Sequence, residues 1–427
     1  MYLVPKGGIK LPIFKVIFPL STAVDLVSPA VFNHHIRVAY SAYEIAKVMG
    51  LPYQDREAIF LAGALHDIGA LSVKERLEAL KFESIYSPGI YHHAKNGFKL
   101  LKLFEPFYHI ARIVKFHHHS WDYGQNQESE GDRIPLESHI IHLADRIDTL
   151  FHSDGDVLQQ AKSIRERIKD LRGKVFHPEA VDAFMELSYK EYFWFDLSSK
   201  HLNNTIYSYI GVSSIFLDDK TLNDLAKLFS HIIDFRSRFT ATHSAGVAAV
   251  AEKLAELYKF SILEKNLIRV AGYLHDIGKL AVPLSILEVP RKLTEEEYNL
   301  IKKHPFYTYR ILESIEGFEL INAWGALHHE KIDGSGYPFH IKKENIPLGS
   351  IIMIFADIYT ALTEDRPYRE SMDPISALNI MEEMVLEGKL CSDTFEVLKL
   401  NLEEIDEHRR IMQKEASYIY ESFWSGE

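Results

Sequence analysis

Residues 273–278 read Tyr-Leu-His-Asp-Ile-Gly, and residues 64–69 read Ala-Leu-His-Asp-Ile-Gly. Five marker residues in and around these two stretches recur in the same order. The pairs are His34 with His243, His66 with His275, His93 with His304, His117 with His328 and Asp145 with Asp357. Their offsets are 243 − 34 = 209, 275 − 66 = 209, 304 − 93 = 211, 328 − 117 = 211 and 357 − 145 = 212. Chance does not preserve five spacings to within three residues, so the chain is predicted to contain one unit twice.

The duplication indicates two domains, at 1–200 and 201–427. We place the boundary in the polar stretch 196–200, which reads Asp-Leu-Ser-Ser-Lys. A chain of 427 residues is also long for a single hydrophobic core, which independently favours two or three domains.

Apolar residues near the repeated motifs recur with helical spacing. They are Val38, Ala42, Ile45, Ala46 and Met49 in the first copy and Val247, Val250, Ala251, Leu254 and Leu257 in the second. Residues 55–57, Asp-Arg-Glu, open another apolar helix, and residues 294–297, Thr-Glu-Glu-Glu, are typical of a capped helix start. The alternation typical of strands is scarce. The predicted fold class is therefore all-α, with two tandem helical bundles.

Composition and charge restrict the function classes. A net charge of −12 repels polymeric nucleic acid, so DNA or RNA binding is not expected. The apolar stretch Leu11–Leu20 is interrupted by Lys15 and Pro19, and is too short for a membrane span. Cys391 is the only cysteine, which excludes an intrachain disulfide and a thiolate zinc site. A reducing cytoplasm is the expected location, without membrane contact.

The second copy contains enough imidazoles and carboxylates to hold two metal ions. The candidate ligands are His243, His275, Asp276, His304, His328, His329 and Asp357. Any one histidine alone is more simply a packed core residue, but the ordered recurrence of the set favours ligation. Imidazole and carboxylate without thiolate suit iron, manganese or zinc. Asp276 could bridge two ions, and a hydroxide between them could attack a phosphodiester in line.

A glycine-rich loop follows the paired histidines. Residues 328–338 read His-His-Glu-Lys-Ile-Asp-Gly-Ser-Gly-Tyr-Pro. Gly334 and Gly336 permit backbone angles that other residues avoid, so a tight loop could approach a ligand closely. Tyr337 offers a ring for stacking on a base, and Pro338 stiffens the turn. The alternative is an ordinary turn between helices.

Three cationic residues are candidates for contact with a phosphate. Lys279 is predicted to share a helical face with His275, where it could interact with the phosphate or protonate the leaving oxygen. Arg366 and Arg369 could hold a phosphate bidentately. Alternatively, Lys279 is an ordinary surface lysine, and Arg366 and Arg369 lie at an exposed helix end.

Over roughly residues 234–375 the chain resembles the HD-GYP family, a branch of the HD phosphohydrolase superfamily. The resemblance rests on 242–244, 275–279, 304–305, 328–338 and 356–357, and on the 366–369 segment Arg-Pro-Tyr-Arg. It implies an HD-type helical bundle with a centre of two or three metals, usually iron or manganese. It also implies that one metal takes His243, His275, Asp276 and Asp357, and the other Asp276, His304, His328 and His329. Lys279 matches the catalytic lysine, and Gly334, Gly336, Tyr337 and Pro338 match the substrate-side loop.

Two positions depart from the family pattern. Relatives with three metals carry a glutamate four residues before the first histidine, where this chain has Phe239, so two ions are expected. The family often has an aspartate three residues after the metal-binding Asp357, where this chain has Thr360.

The N-terminal unit resembles an HD domain without the loop signature. It keeps a second candidate metal site of His34, His66, Asp67, His93, His117, His118 and Asp145. Ala70 replaces the lysine, and residues 122–127, Asp-Tyr-Gly-Gln-Asn-Gln, replace the glycine-rich loop. Three interpretations stay open: a metal-binding regulatory or oxygen-sensing domain, a second hydrolase, or a scaffold that retains histidines. In the first two, up to two further ions would bind there.

The resemblance implies a phosphodiesterase that hydrolyses a bacterial cyclic dinucleotide in second-messenger signalling. The substrate would be cyclic di-GMP or the mixed cyclic GMP–AMP. The alternatives are an HD-type phosphohydrolase acting on mononucleotides and a metal-containing ligand or oxygen sensor without turnover. Tandem units also leave open contact between the bundles or a homodimer.

Overall fold

The computed structural model describes residues 8–25, 33–72, 75, 81–82, 91–125, 127–152, 155–209, 213–237, 240–366 and 369–425. Its residues form two compact units, one of 12–214 and one that joins the N-terminal segment up to residue 11 to the residues from 215 onwards. The polar stretch 196–200, where we predicted the boundary, lies within the first of these units. We refer to them as the N-terminal and C-terminal units.

The N-terminal unit is built from helices around α2. In chain order the helices are α1 (Phe14–Asp25), α2 (His34–Val48), α3 (Tyr53–Leu65), α4 (Tyr91–Leu101), α5 (Tyr108–Lys115), α6 (Leu136–Leu150), α7 (Val157–Asp170), α8 (Pro178–Leu187), α9 (Glu191–Ser198) and α10 (Leu202–Tyr209). Helix α2 packs against α3, α6 and α8, and most of its residues are buried. Between α5 and α6, the two-residue strands β2 (Glu128–Ser129) and β3 (Asp132–Arg133) pair antiparallel.

The C-terminal unit repeats this plan around α12. Its helices are α11 (Asp219–Asp234), α12 (His243–Leu257), α13 (Ile262–Leu274), α14 (Leu284–Leu287), α15 (Glu295–Ile301), α16 (His304–Glu313), α17 (Glu319–Gly325), α18 (Leu348–Leu362), α19 (Pro374–Leu386), α20 (Ser392–Leu400) and α21 (Leu402–Ser425). Helix α12 packs against α13, α18 and α21. The only other strands in the described ranges are β1 (Ile9–Pro12) and β4 (Ser214–Leu217), which pair with each other. The predicted all-α class is confirmed.

The local predictions can be compared with individual helices. Helix α15 begins after Thr294, whose hydroxyl accepts from the Glu297 amide while the Glu297 carboxylate accepts from the Thr294 amide. The predicted capped start is therefore confirmed, as are the helices through 38–49 and 247–257. Within the ranges above, no helix combines the length and hydrophobicity needed to cross a bilayer.

Candidate metal centres

The end of helix α13 brings two neighbouring ligand candidates to the same place. In a continuous helix, adjacent side chains point about 100° apart. Helix α13 instead stops at Leu274, so that His275 forms its C-cap and Asp276 adopts non-helical angles of φ −99° and ψ 9°. A 3₁₀ turn follows at Ile277–Ala281. Because the helix ends here, both side chains face the same cluster.

A glycine holds this turn against the next ligand-bearing helix. A Cβ atom on Gly278 would lie 1.9 Å from the carbonyl oxygen of His304, the first residue of α16. Gly69 makes the same approach in the other unit, where a Cβ would lie 2.2 Å from the carbonyl oxygen of His93. The repeated His-Asp-Ile-Gly motif thus requires glycine because two backbones meet at that position.

The two carboxylate oxygens of Asp276 face two different groups of histidines. Asp276 Oδ2 lies 3.2 Å from His275 Nε2 and 3.8 Å from His243 Nε2. Asp276 Oδ1 lies 3.2 Å from His304 Nε2 and 3.7 Å from His328 Nε2. This is the arrangement expected of a carboxylate that bridges two cations.

Asp357 also lies between the two groups. Its Oδ1 is 3.3 Å from His243 Nε2 and 4.0 Å from His275 Nε2, while its Oδ2 is 3.7 Å from His329 Nδ1. The seven candidate donors therefore converge. Two subsets can each meet around one ion: His243, His275 and Asp276, and His304, His328 and His329.

Backbone carbonyls orient the imidazoles towards the cluster. The Nδ1 atoms of His275, His304 and His328 lie 2.7 Å from the carbonyl oxygens of Gly272, Ile301 and Gly325, respectively. Because a carbonyl can only accept, Nδ1 carries the proton and Nε2 keeps a lone pair. The Nε2 atoms of His304 and His328 lie 3.2 Å apart, although neither then has a proton to share. Among the described residues, buried His275 Nε2 also has no hydrogen-bond partner. Such converging lone pairs fit a metal ion.

The protonation states suit the same role. Burial lowers the pKa of His304, and burial together with His329 lowers the pKa of His328 well below its usual range. Both rings are therefore neutral at pH 7, which is the form that binds metal. Burial opposes ionisation of Asp276, but the neighbouring His275 and Lys279 hold its pKa well below the ordinary value. The His304 and His328 side of the cluster thus combines neutral imidazoles with the ionised carboxylate of Asp276.

Lys279 lies beside the bridging carboxylate. Its Nζ forms an ion pair with Asp276 Oδ2, and its side chain is 14% exposed. The predicted helical face shared with His275 is wrong, because the helix ends before Lys279 and the contact runs to Asp276 instead. The ammonium group therefore stands between the cluster and solvent, within reach of a bound anion.

Glu330 anchors the glycine-rich loop. Its carboxylate is buried and accepts from the amides of Phe339 at 2.7 Å and Ile341 at 3.1 Å. Gly334 has a φ of +81°, as predicted for a tight loop. Gly336 does not have a positive φ, so the backbone-angle explanation is wrong for it. A Cβ on Gly336 would instead lie 2.3 Å from the amide nitrogen of Lys331, and close packing explains the glycine.

The loop presents an aromatic ring to the cluster. The ring centroid of Tyr337 lies 4.9 Å from that of His329, at an interplanar angle of 34°. The bond between Tyr337 and Pro338 is cis. The side chain of His329 is 27% exposed, so this edge of the cluster is open to a ligand.

The two arginines have partners other than a ligand. Arg366 Nη2 lies 3.4 Å from Glu364 Oε2, and Arg369 Nη2 donates to the carbonyl oxygen of Ala361 at the end of α18. Pro367 and Tyr368, which lie between them, are outside the described residues. A phosphate contact for Arg366 or Arg369 stays a prediction. Phe239 also lies outside the described residues, so the expected count of two ions is likewise untested.

Sequence reasoning missed Glu364, which supports the first histidine of the cluster. Glu364 Oε2 accepts from His243 Nδ1 at 2.8 Å, and Gln413 donates to its other oxygen. Against the effect of burial, Glu364 and Asp357 raise the pKa of His243 to about 9. In the N-terminal unit, Asp148 Oδ2 accepts from His34 Nδ1 at 2.7 Å.

The two supporting carboxylates occupy different places in the repeat. Asp148 stands three residues after Asp145, and the matching position after Asp357 is Thr360. Glu364 lies four residues further on, just beyond the end of α18. The carboxylate that supports the first histidine thus stands four residues further along the chain in the C-terminal unit. The three-residue offset from the candidate metal ligand Asp145 could have revealed Asp148 as the partner of His34. The same offset from Asp357 does not reveal Glu364 as the partner of His243.

Replacing Glu364 by glutamine is expected to weaken metal binding by about 10- to 100-fold, as is usual for the hydrogen-bonded partner of a histidine ligand. The glutamine keeps the shape of the side chain but removes the charge that orients and polarises His243. Titration of the metal-depleted variant with Mn²⁺ measures the change. Glu313→Gln, at an exposed ion pair with Arg310, is the matched control. Equal affinity in both variants would contradict the role of Glu364.

A second missed carboxylate precedes each first histidine by nine residues. Asp234 is buried at the end of α11 and accepts from the hydroxyls of Ser230 at 2.8 Å and Ser244 at 3.0 Å. Burial raises its pKa to about 7. Asp25 ends α1 and bonds to His35 Nδ1. The offset 234 − 25 = 209 matches the repeat and extends it upstream.

The N-terminal unit has its own cluster, in which the two carboxylate oxygens of Asp67 likewise face two different groups of histidines. Asp67 Oδ2 lies 3.5 Å from His66 Nε2 and 4.0 Å from His34 Nε2, while Asp67 Oδ1 lies 3.0 Å from His93 Nε2 and 3.5 Å from His117 Nε2. The sets that can meet around an ion are His34, His66 and Asp145, and Asp67, His93, His117 and His118. The geometry that fits metal in the C-terminal unit is therefore repeated here.

Arg146 distinguishes this cluster from the other one. Its guanidinium is fully buried and bonds through Nε and Nη2 to Asp145 Oδ2. The matching oxygen of Asp357 faces His329 instead. His118, which matches His329, is only 2% exposed. The N-terminal cluster is thus enclosed, and its cationic partner is Arg146 on Asp145, whereas that of the C-terminal cluster is Lys279 on Asp276.

Two helical bundles that each hold a buried His–Asp cluster define the HD-domain class of protein. Family models described as HD domain match residues 31–150 and 227–390. The chain is 32% identical over 397 residues to the 3′3′-cGAMP-specific phosphodiesterase 1 of Vibrio cholerae, and the match covers 91% of each chain. It is 40% identical over 161 residues to the cyclic di-GMP phosphodiesterase response regulator RpfG of Xanthomonas campestris, covering 37% of this chain and 42% of the relative. The chain belongs to the HD-GYP family.

A solved structure matches nearly the whole chain. The crystal structure of the V. cholerae cyclic GMP–AMP phosphodiesterase V-cGAP3 aligns with a TM-score of 0.65 at 24% identity, over 92% of this chain and 98% of that one. At this identity the match supports the fold, and it extends across both units.

Proposed function

We propose that the chain is a metal-dependent phosphodiesterase that opens a cyclic dinucleotide, with the reaction in the C-terminal unit. The observation that carries the proposal is the placement of Asp276 between two groups of buried histidines, with one carboxylate oxygen facing each group. The similarity to a 3′3′-cGAMP-specific phosphodiesterase over 91% of each chain supports the substrate class and makes 3′3′-cGAMP the first candidate. Cyclic di-GMP is the second, because relatives such as RpfG bear that name.

His243, His275, Asp276, His304, His328, His329 and Asp357 would hold two divalent ions. A donor set of imidazoles and carboxylates without thiolate suits iron, manganese or zinc. The resemblance to the HD-GYP family implies iron or manganese, which is the proposed identity. When bound, two such ions supply charge that attracts a phosphodiester and lower the pKa of water, which provides a nucleophile at neutral pH.

The protein side chains then have separate tasks. Asp276 fixes the distance between the two histidine groups, and Lys279 Nζ holds a proton beside Asp276 Oδ2 that it can pass to the leaving oxygen. Tyr337, packed against His329, forms an aromatic wall on which a base can stack. The open edge at His329 admits the substrate.

For the N-terminal unit we propose metal binding without turnover of cyclic dinucleotides. Ala70 stands where Lys279 stands, and residues 122–127 replace the glycine-rich loop. The enclosed position of His118 supports this assignment, since structural metal sites are closed and catalytic sites keep an open position. A cytoplasmic location, consistent with the single buried cysteine Cys391, stays a prediction.

Incubation of the full chain with separate substrates tests the proposed activity. The substrates are 3′3′-cGAMP, cyclic di-GMP and GTP, each with Mn²⁺ or with Fe²⁺ under anaerobic conditions, and chromatography identifies the products. We expect linear dinucleotides from one or both cyclic substrates. Turnover of GTP with intact cyclic dinucleotides would instead establish a mononucleotide phosphohydrolase, and binding without any product would establish a sensor.

A further inference from the structure

The N-terminal unit contains a cavity of about 480 Å³ that none of the candidate metal ligands lines. Its lining includes Gln127, the last residue of the segment 122–127 that replaces the glycine-rich loop of the other unit, and Trp121, which precedes that segment. Residues 134–136, Ile-Pro-Leu, form an apolar part of its wall. This volume is in the range of small-molecule binding sites, and it greatly exceeds the space that a single water or simple ion needs.

Three aromatic rings are grouped on one side of the cavity. The ring centroid of Trp121 lies 4.3 Å from that of His177 and 5.4 Å from that of His139. Gln127 fixes this group, because its Nε2 donates to the Trp121 carbonyl oxygen at 2.8 Å while its Oε1 lies 2.8 Å from His139 Nε2. Burial and the nearby His177 lower the pKa of His139 to about 4, so the ring is uncharged at neutral pH. This side of the cavity is therefore an ordered aromatic wall.

The cavity is cationic although the chain as a whole has a net charge of −12. Its charged lining residues are Arg112, Arg133 and Glu179. Arg112 donates to the carbonyl oxygen of Arg133 at 2.7 Å and lies 3.7 Å from Asp132. Among the residues that the structure describes, the guanidinium of Arg133 has no ion pair or hydrogen bond. The N–H donors of the Arg133 guanidinium are thus available to a ligand beside the aromatic wall.

We infer that this cavity is a binding site for a nucleotide, with the base against Trp121 and the phosphate on Arg133. A guanidinium recognises phosphate through two parallel hydrogen bonds, and flat aromatic side chains recognise the bases by stacking. Inorganic phosphate would use only the arginines and would leave the aromatic wall and most of the volume unfilled. The inference does not depend on the reaction in the C-terminal unit, and the cavity shares no lining residue with either candidate metal cluster.

Isothermal titration calorimetry of the full chain with 5′-GMP, 5′-AMP and inorganic phosphate tests the site. We expect one mononucleotide site that is weakened about tenfold or more in Arg133→Gln, because a charge-assisted hydrogen-bonding partner is lost. Arg167→Gln, an exposed arginine on α7 outside the cavity, is the matched control and should bind as the natural chain does. No heat of binding at millimolar nucleotide would overturn the inference, and so would equal binding by both variants.

Tryptophan fluorescence locates the ligand independently. Nucleotide should quench the emission of the natural chain, and Trp121→Phe should lose most of the quenching while it keeps calorimetric binding, since phenylalanine preserves an aromatic wall. Unchanged quenching in Trp121→Phe would place the ligand elsewhere. Phosphate that binds as tightly as nucleotide and depends equally on Arg133 would reduce the site to an anion site and overturn the nucleotide class.

Discussion

Alanine at both His275 and Asp276 is expected to reduce hydrolysis of the cyclic dinucleotide by at least about three orders of magnitude. The double change removes the bridging carboxylate of Asp276 and one imidazole, which leaves Asp357 as the remaining candidate carboxylate ligand between the two histidine groups. A two-metal site supplies both the nucleophile and the charge stabilisation, and loss of the pair removes both contributions. Rates of product formation at saturating substrate measure the effect, and circular dichroism checks the fold.

The duplicated unit supplies a control in the same molecule. Alanine at His66 and Asp67 removes the corresponding pair from the N-terminal cluster, and we expect it to alter the rate without abolishing it. Metal analysis should show that each double variant loses ions only from its own unit. Full loss of hydrolysis in the folded His66/Asp67 variant would contradict the proposed division between the units.

The Lys279→Met variant is expected to lower kcat by about 100- to 10,000-fold, the usual contribution of a positioned acid or base. Methionine keeps a long apolar stem, so the packing of the 3₁₀ turn should survive while the ammonium next to Asp276 is lost. Metal content should not change in Lys279→Met, whereas replacement of a metal ligand should lower it.

Lys292→Met is the matched control for Lys279→Met, because Lys292 is an exposed lysine outside the cluster. Its kcat should equal that of the natural chain. A Lys279→Met variant that hydrolyses its substrate at the natural rate would show that the ammonium has no part in proton transfer or phosphate binding. A variant that loses its metal would assign Lys279 a structural role instead.

The sequence was sufficient to predict the ligand candidates because each unit serves as a comparison for the other. Recurrence at nearly constant offsets separated His275 and Asp276 from histidines that are only packed in a core. Helical periodicity likewise predicted α2 and α12, whose apolar residues face neighbouring helices. Both predictions used the spacing of residues along the chain, which can be read directly from the sequence.

Contacts that depend on tertiary structure were not predictable in the same way. The end of α13 at Leu274 has no glycine or proline signal of its own, and it decides that Lys279 meets Asp276. Arg146 bonds to Asp145 as an immediate neighbour, and nothing in its position in the sequence indicates that its guanidinium is buried. Glu364 lies beyond the end of α18 and has no carboxylate counterpart at the matching position of the N-terminal unit, so the repeat that located Asp357 did not reveal it.

The carboxylate that supports His243 stands at a different position from the one that supports His34, and this has a practical consequence for motif searches. A search pattern that demands aspartate three positions after Asp357 would reject the C-terminal unit at Thr360, yet accept the N-terminal unit at Asp148. Such a filter would discard the half of the molecule that carries the lysine and the glycine-rich loop. Screens of genomes for this chemistry should therefore accept a glutamate one helical turn later, as at Glu364, as an equivalent solution.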